Sequence, residues 1–145
     1  MFVENLKETL NLGEKLSHKL NPKSIVLLEG PIGAGKTSFV QGIAKGLSIL
    51  EEITSPTFSL SHHYKSGKIP LIHLDLYRID NISSAIEVFY YEEEEALQSQ
   101  AILIIEWPKL IEPIVENFWK VNISYAKNYG RHYEIRDPKN LLTFS

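Results

Sequence analysis

Leu6, Leu10, Leu16 and Leu20 recur near helical spacing with charged residues between them, which predicts an amphipathic helix stopped at Asn21-Pro22. The run Ile25–Leu28 is continuously apolar, the pattern of a strand covered on both faces, and it ends in the turn-rich segment Glu29–Gly35. Helical spacing resumes over Thr37–Leu47 through Phe39, Val40, Ile43, Ala44 and Leu47. The segments Thr57–Tyr64 and Leu71–Tyr77 flank Ser66-Gly67-Lys68 and read as an antiparallel hairpin with a Gly-containing loop. Ser83–Ser99 is the next predicted helix, Ala101–Ile105 a second buried strand, and Lys109–Asn117 a short helix interrupted by Pro113. Trp119–Tyr125 and His132–Arg136 close the chain as a pair of strands.

Strands alternating with helices through short connections predict an α/β layered fold, and the hairpin makes its central sheet mixed, though mainly parallel, with helices on both faces. No linker, repeat or composition break interrupts residues 1–145, so one domain is expected. The balance of 43% hydrophobic and 23% charged residues is that of a globular chain and excludes disordered, collagen-like and coiled-coil readings. A net charge of −3 provides no basic field for a nucleic-acid backbone, so direct reading of DNA or RNA is not expected. The lack of cysteine removes disulfide scaffolds, thiolate zinc sites and cysteine nucleophiles. Charges among the first twenty residues break the apolar run a signal peptide needs, and no apolar stretch approaches the length of a membrane span, so a cytoplasmic protein is expected.

Candidate chemistry concentrates in Gly30-Pro31-Ile32-Gly33-Ala34-Gly35-Lys36-Thr37, a complete G-x-x-x-x-G-K-[ST] phosphate loop between a buried strand and a helix. Glycines at this spacing let the backbone close around phosphate oxygens, with amide N–H groups and the positive end of the following helix aimed at the anion. Lys36 is placed to reach the β- and γ-phosphates, and the Thr37 hydroxyl to meet Mg²⁺. A P-loop NTPase-like fold is implied, with a second metal partner expected at a neighbouring strand end. Two carboxylates qualify. Asp75 lies in His73-Leu74-Asp75-Leu76-Tyr77-Arg78, where alternation puts His73, Asp75 and Tyr77 on one face; Glu106 follows the strand Ala101–Ile105 at the edge where α/β sheets bind ligands.

Thr54-Ser55-Pro56-Thr57-Phe58 places hydroxyls beside a proline, which suits either a γ-phosphate sensor or a proline-fixed turn. Trp107, next to Glu106, flanks the nucleotide or a partner, or packs in the core. Glu92–Glu95 reads as a solvated helix face or as an acidic patch for a basic partner. His62, His63 and His73 lack the ligand spacing of a zinc site. The guanine-reading N-K-x-D motif is absent, which favours adenine, and the small number of arginines argues against a kinase lid.

Together these motifs resemble one family, the TsaE (YjeE-type) ATPases of bacterial tRNA threonylcarbamoyladenosine biosynthesis. Gly33–Thr37 looks like the family's P-loop, Ser55-Pro56-Thr57-Phe58 its switch-like element, His73–Arg78 its second-strand motif and Glu106-Trp107 its strand-end pair, in that order over most of residues 6–110. The resemblance implies a Mg²⁺-dependent ATPase, weak alone and a monomer when free, that does not modify tRNA itself. It joins TsaD and TsaB, whose complex attaches threonylcarbamoyl to adenosine 37 of ANN-decoding tRNAs, and its hydrolysis resets that complex. Carried over residue by residue, Pro31, Ile32, Gly33, Ala34, Gly35, Lys36, Thr37, Ser38, Thr57 and Trp107 contact the nucleotide. Thr37, Thr57 and Asp75 complete the metal and γ-phosphate shell, and Glu106 positions or activates the attacking water, with Mg²⁺ within reach through water. Trp107 supports Glu106 or the partner face.

Two departures stand out. Pro31 occupies a position often acidic in the family, and Glu87–Glu95 lacks a Leu-Gly step that would shape a docking surface. Two rival readings stay open: a phosphotransferase acting on a small-molecule hydroxyl, and a nucleotide-gated binding module whose Thr54–Phe58 and Glu92–Glu95 segments change partner affinity.

Overall fold

The computed structural model describes residues 1–56 and 58–144. Its elements run β1 (Phe2–Val3), α1 (Leu6–Ser17), β2 (Ile25–Glu29), α2 (Lys36–Gly46), β3 (Ser61–Tyr64), β4 (Leu71–Asp75), α3 (Ile82–Ser99), β5 (Ile102–Glu106), β6 (Phe118–Tyr125), β7 (Arg131–Arg136) and β8 (Leu142–Thr143), with short 3-10 turns at Glu112–Ile114 and Lys127–Tyr129. One sheet runs in the order β1-β7-β6-β2-β5-β4-β3, with β8 added along β7. β2 pairs in parallel with both β5 and β6, and β5 in parallel with β4; the β3–β4, β6–β7, β1–β7 and β7–β8 pairs are antiparallel.

The apolar runs supply the central strands. Val26, Leu28, Ile102 and Ile104 point to one face, where Leu12 and Leu16 of α1 and Phe39, Val40 and Ile43 of α2 cover them. Ile25, Leu27, Leu103 and Ile105 point to the other, against Ala85, Phe89 and Ala96 of α3. The α/β layering, with helices on both faces of a mixed sheet whose four central strands β6, β2, β5 and β4 run parallel, is therefore as the hydrophobic pattern implies.

Several local expectations are corrected. α1 ends at Ser17, and Leu6 and Leu10 do not form its buried stripe: Thr9, Leu12, Gly13, Leu16 and Ser17 do, because α1 lies against α2 through small residues. The Lys109–Asn117 segment forms only the Glu112–Ile114 turn; the Pro108 carbonyl accepts the Ile111 and Glu112 amides, and Pro113 removes an amide from any longer helix. β4 stops at Asp75, so Tyr77 leaves the face that alternation assigns to it with His73 and Asp75 and is half exposed. Glu92 is not solvated: it is 5% exposed, and its carboxylate takes the Ser61 hydroxyl at 3.1 Å and His63 Nε2 at 2.8 Å, fastening β3 to α3. β1 and β8, each two residues long, carry too little pattern to be read from sequence.

Candidate functional site

The carboxyl ends of β2, β5 and β4 lie side by side, and the loops that leave them gather at one edge of the sheet. β2 leads into the loop Gly30–Gly35, in which Gly33 (φ 80°) and Gly35 (φ 101°) adopt left-handed backbone that favours glycine. Gly35 is the N-cap of α2 and gives it no side-chain hydrogen bond, whereas Asn5 caps α1 through the Glu8 amide and Asn81 caps α3 through the Ser84 amide. The first turn of α2 thus has no N-cap side chain to take its amides, which suits it to receiving an anion.

β4 and β5 end in register, with Asp75 paired across from Glu106. A cavity of about 450 Å³ at this edge is lined by Ile32, Gly33, Gly35, Lys36, Thr37, Ser38, Ser55, Asp75, Tyr77, Glu106 and Trp107. The sequence-derived residues Lys36, Thr37, Ser38, Asp75, Glu106 and Trp107 therefore meet around one space. Ala34 is buried in the core and Pro31 is exposed, so these two shape the loop without lining the cavity. Thr57 lies outside the described residues. Near it, the Arg78 guanidinium sits 4.6 Å over the exposed Phe58 ring, and the Asp75 amide donates to the Leu60 carbonyl at 2.8 Å.

Lys36 is 8% exposed. Its ammonium donates to the Gly30 carbonyl at 2.5 Å and lies 3.8 Å over the Trp107 ring. Burial lowers its pKa, while the carboxylates of Glu106, Asp75 and Glu29 pull it back up, so the ammonium is held among anions with few water contacts. Asp75 accepts the Tyr77 amide at 2.9 Å; burial raises its carboxyl above the ordinary range, the amide opposes that, and the Glu106 charge adds to it. Two buried carboxylates facing one lysine make a site short of positive charge. It is electrostatically suited to a cation that arrives with a ligand.

Trp107 takes a positive φ of 56°, which swings its ring from the end of β5 over Lys36 and against Tyr77, ring centroids 4.8 Å apart. Its ring lines the cavity and also packs against the core cluster on the α3 side of the sheet. The three histidines do not converge: His62 contacts the Tyr64 hydroxyl, His63 contacts Glu92, and His73 contacts Glu106.

The C-terminal third contributes to the site through two residues: Tyr125, which sequence reasoning misses, and Arg131, which is only a weak candidate for a basic position of the resembled family. The Tyr125 hydroxyl donates to the Ile32 carbonyl at 2.5 Å, and Arg131 donates to the Gly33 carbonyl at 3.2 Å while stacking on Tyr125. Both residues brace the loop from β6 and β7, about a hundred positions away (|i−j| of 93 and 98). No local motif marks them; the pairing of β6 with β2 and of β7 with β6 brings them there.

The family model described as "Threonylcarbamoyl adenosine biosynthesis protein TsaE" matches residues 3–133. A relative named tRNA threonylcarbamoyladenosine biosynthesis protein TsaE from a Nostoc species is 42% identical over 138 residues, covering 93% of this chain and 83% of the relative. A relative of the same name from Rickettsia prowazekii is 38% identical over 148 residues, covering 98% and 97%. The crystal structure of Bacillus subtilis YdiB superposes with a TM-score of 0.74 at 28% identity, covering 92% of this chain and 80% of that one. Extent and level of similarity agree with the loop, the strand-end carboxylates and the sheet order, and the chain belongs to the TsaE family of tRNA threonylcarbamoyladenosine biosynthesis proteins.

Proposed function

We propose that the chain is a Mg²⁺-dependent ATPase that serves tRNA threonylcarbamoylation by binding and resetting a TsaD–TsaB transferase complex. The observation that carries the catalytic part is the convergence of Lys36, Thr37, Asp75 and Glu106 on one cavity at the end of an uncapped helix. Among the described residues no three His, Cys, Asp or Glu side chains form a set able to hold a metal. The donors present suit Mg²⁺, which takes one or two carboxylates and completes its shell with phosphate and water. Thr37 and Asp75 are the residues to hold it, and once bound it neutralises charge on the β- and γ-phosphate oxygens.

The remaining work falls to the chain itself. The amides of the loop and of the first turn of α2 receive the phosphates. Lys36 exchanges the Gly30 carbonyl and the Trp107 face for phosphate oxygens, so its charge reaches the bond that breaks without a new desolvation cost. Glu106 accepts a proton from water as the water oxygen bonds to the γ-phosphorus. The bond from the γ-phosphorus to the bridging oxygen breaks, and ADP leaves with that electron pair. Trp107 and Tyr77 wall the cavity beside Glu106 and limit bulk water.

The family's role in tRNA threonylcarbamoyladenosine biosynthesis supports the partner assignment and a place of action in the cytoplasm. The net charge of −3 supports contact with tRNA through the complex rather than directly. No helix among the described residues is long and apolar enough to cross a membrane. The test is ATP hydrolysis by the purified chain with Mg²⁺, alone and with purified TsaD and TsaB. Slow turnover alone that rises with the partners is expected; turnover unchanged by the partners rejects the complex-resetting role.

A further inference from the structure

We propose that His73 is a positioning residue for Glu106: its Nε2–H holds one carboxylate oxygen, so that the other is presented to the cavity. The inference rests on the reading of Glu106 as the group that activates water.

His73 is fully buried in β4, two residues before Asp75, and Glu106 is 3% exposed at the end of β5. Nε2 of His73 lies 2.5 Å from Oε2 of Glu106. The other ring nitrogen, Nδ1, is buried with no hydrogen-bond partner among the described residues. That asymmetry assigns the proton. An Nδ1–H tautomer would bury an unpaired donor and would require Glu106 to carry a proton in order to bond Nε2. The Nε2–H tautomer gives the carboxylate a charge-assisted bond and leaves only a lone pair unmet, the less costly arrangement.

The bond also answers a conflict of charges. Lys36 is coupled electrostatically to Glu106 and sits in the same cavity. A glutamate free to rotate about its side-chain torsions would turn to that ammonium and be lost as a proton acceptor for water. With Oε2 held by His73, and with Lys36 held by the Gly30 carbonyl and the Trp107 ring, the two charges stay apart in the described structure. His73 touches neither nucleotide nor metal; it acts through Glu106, as outer-shell partners commonly orient a ligand or base.

Two measurements test this. Nitrogen-15 NMR of the imidazole should find the His73 proton on Nε2, with a resonance that shifts in Glu106→Ala; a proton on Nδ1, or a resonance indifferent to Glu106→Ala, overturns the assignment. In the second, single-turnover hydrolysis and ATP binding are measured for His73→Leu, which removes the donor, and His73→Gln, whose amide can replace Nε2–H. Turnover should fall roughly 10–100-fold in His73→Leu with ATP affinity and thermal midpoint little changed, and recover substantially in His73→Gln. In a Glu106→Ala background, His73→Leu should have no further effect. Turnover in His73→Leu equal to that of the unmutated chain, or a loss that multiplies with Glu106→Ala, overturns the positioning role and leaves the ATPase reading standing. Absence of turnover in the unmutated chain overturns both.

Discussion

Replacing Gly42 by alanine tests how the helix layer sets the phosphate loop. α1 and α2 cross in backbone contact at Gly13 and Gly42. A Cβ on Gly42 would stand 2.4 Å from the Leu10 carbonyl oxygen and 3.0 Å from its carbonyl carbon and Cα, where ordinary contact begins near 3.4 Å. Relief requires the helices to part by about 1 Å, the difference between 3.4 and 2.4 Å, because the obstacle is backbone rather than the end of a flexible side chain. Overpacking of a buried contact costs about 1–3 kcal/mol, and the better helix propensity of alanine returns about 0.5–1 kcal/mol. The net loss is about 0–2.5 kcal/mol, with a mid-range of about 1.2 kcal/mol or roughly 2–5 °C in thermal midpoint for a chain of this size. Since α2 begins at Lys36, the same displacement moves the loop and should weaken ATP binding. Circular dichroism melting of Gly42→Ala beside Gln98→Ala, an exposed position on α3 expected to change by less than about 0.5 kcal/mol, is the assay. A Gly42→Ala midpoint at or above that of the unmutated chain refutes the close-crossing argument.

Other consequences are equally direct. Burial pushes the Tyr133 phenol up to about 12, against about 10 in the unfolded chain. The folded state keeps its proton while the unfolded state loses it, so this contribution to stability is complete below pH ~10 and declines as pH rises toward about 12. Between pH 9 and 11 the unmutated chain should lose about 1.4 kcal/mol more in urea unfolding than Tyr133→Phe; equal losses would contradict the burial argument. Asp75→Asn keeps an acceptor for the Tyr77 amide and removes a buried charge facing Glu106, so the fold should stand while the Mg²⁺-dependent part of ATP affinity falls about tenfold or more. Calorimetric titration with and without Mg²⁺ decides it; an unchanged Mg²⁺ dependence removes Asp75 from the metal shell.

Local pattern encodes part of this architecture directly in the sequence. The phosphate loop carries its own spacing, and the apolar runs at Ile25–Leu28 and Ala101–Ile105 announce strands buried on both faces, so the sequence alone puts Glu106 at a strand end. Alternation likewise marks Asp75, although the same alternation misplaces Tyr77 because β4 ends one residue after Leu74. The rest depends on pairing between distant segments. Tyr125 and Arg131 reach the loop only because β6 lies beside β2 and β7 beside β6. The His73–Glu106 bond needs β4 and β5 to be in register, which no spacing along the chain reveals. Leu6 and Leu10 of α1 mislead for a different reason: a helix packed at backbone distance buries its small residues, and a search for apolar side chains passes over Gly13 and Thr9.

The central claim, that the strand-end carboxylate Glu106 does the chemistry on a nucleotide held by the loop, is tested most directly by measuring ATP affinity and single-turnover hydrolysis side by side in the unmutated chain and in Glu106→Ala. The predicted result is affinity changed by less than about threefold and hydrolysis slowed roughly 100-fold or more, as expected when a general base is removed from a formed binding site. Hydrolysis by Glu106→Ala at the unmutated rate would contradict it.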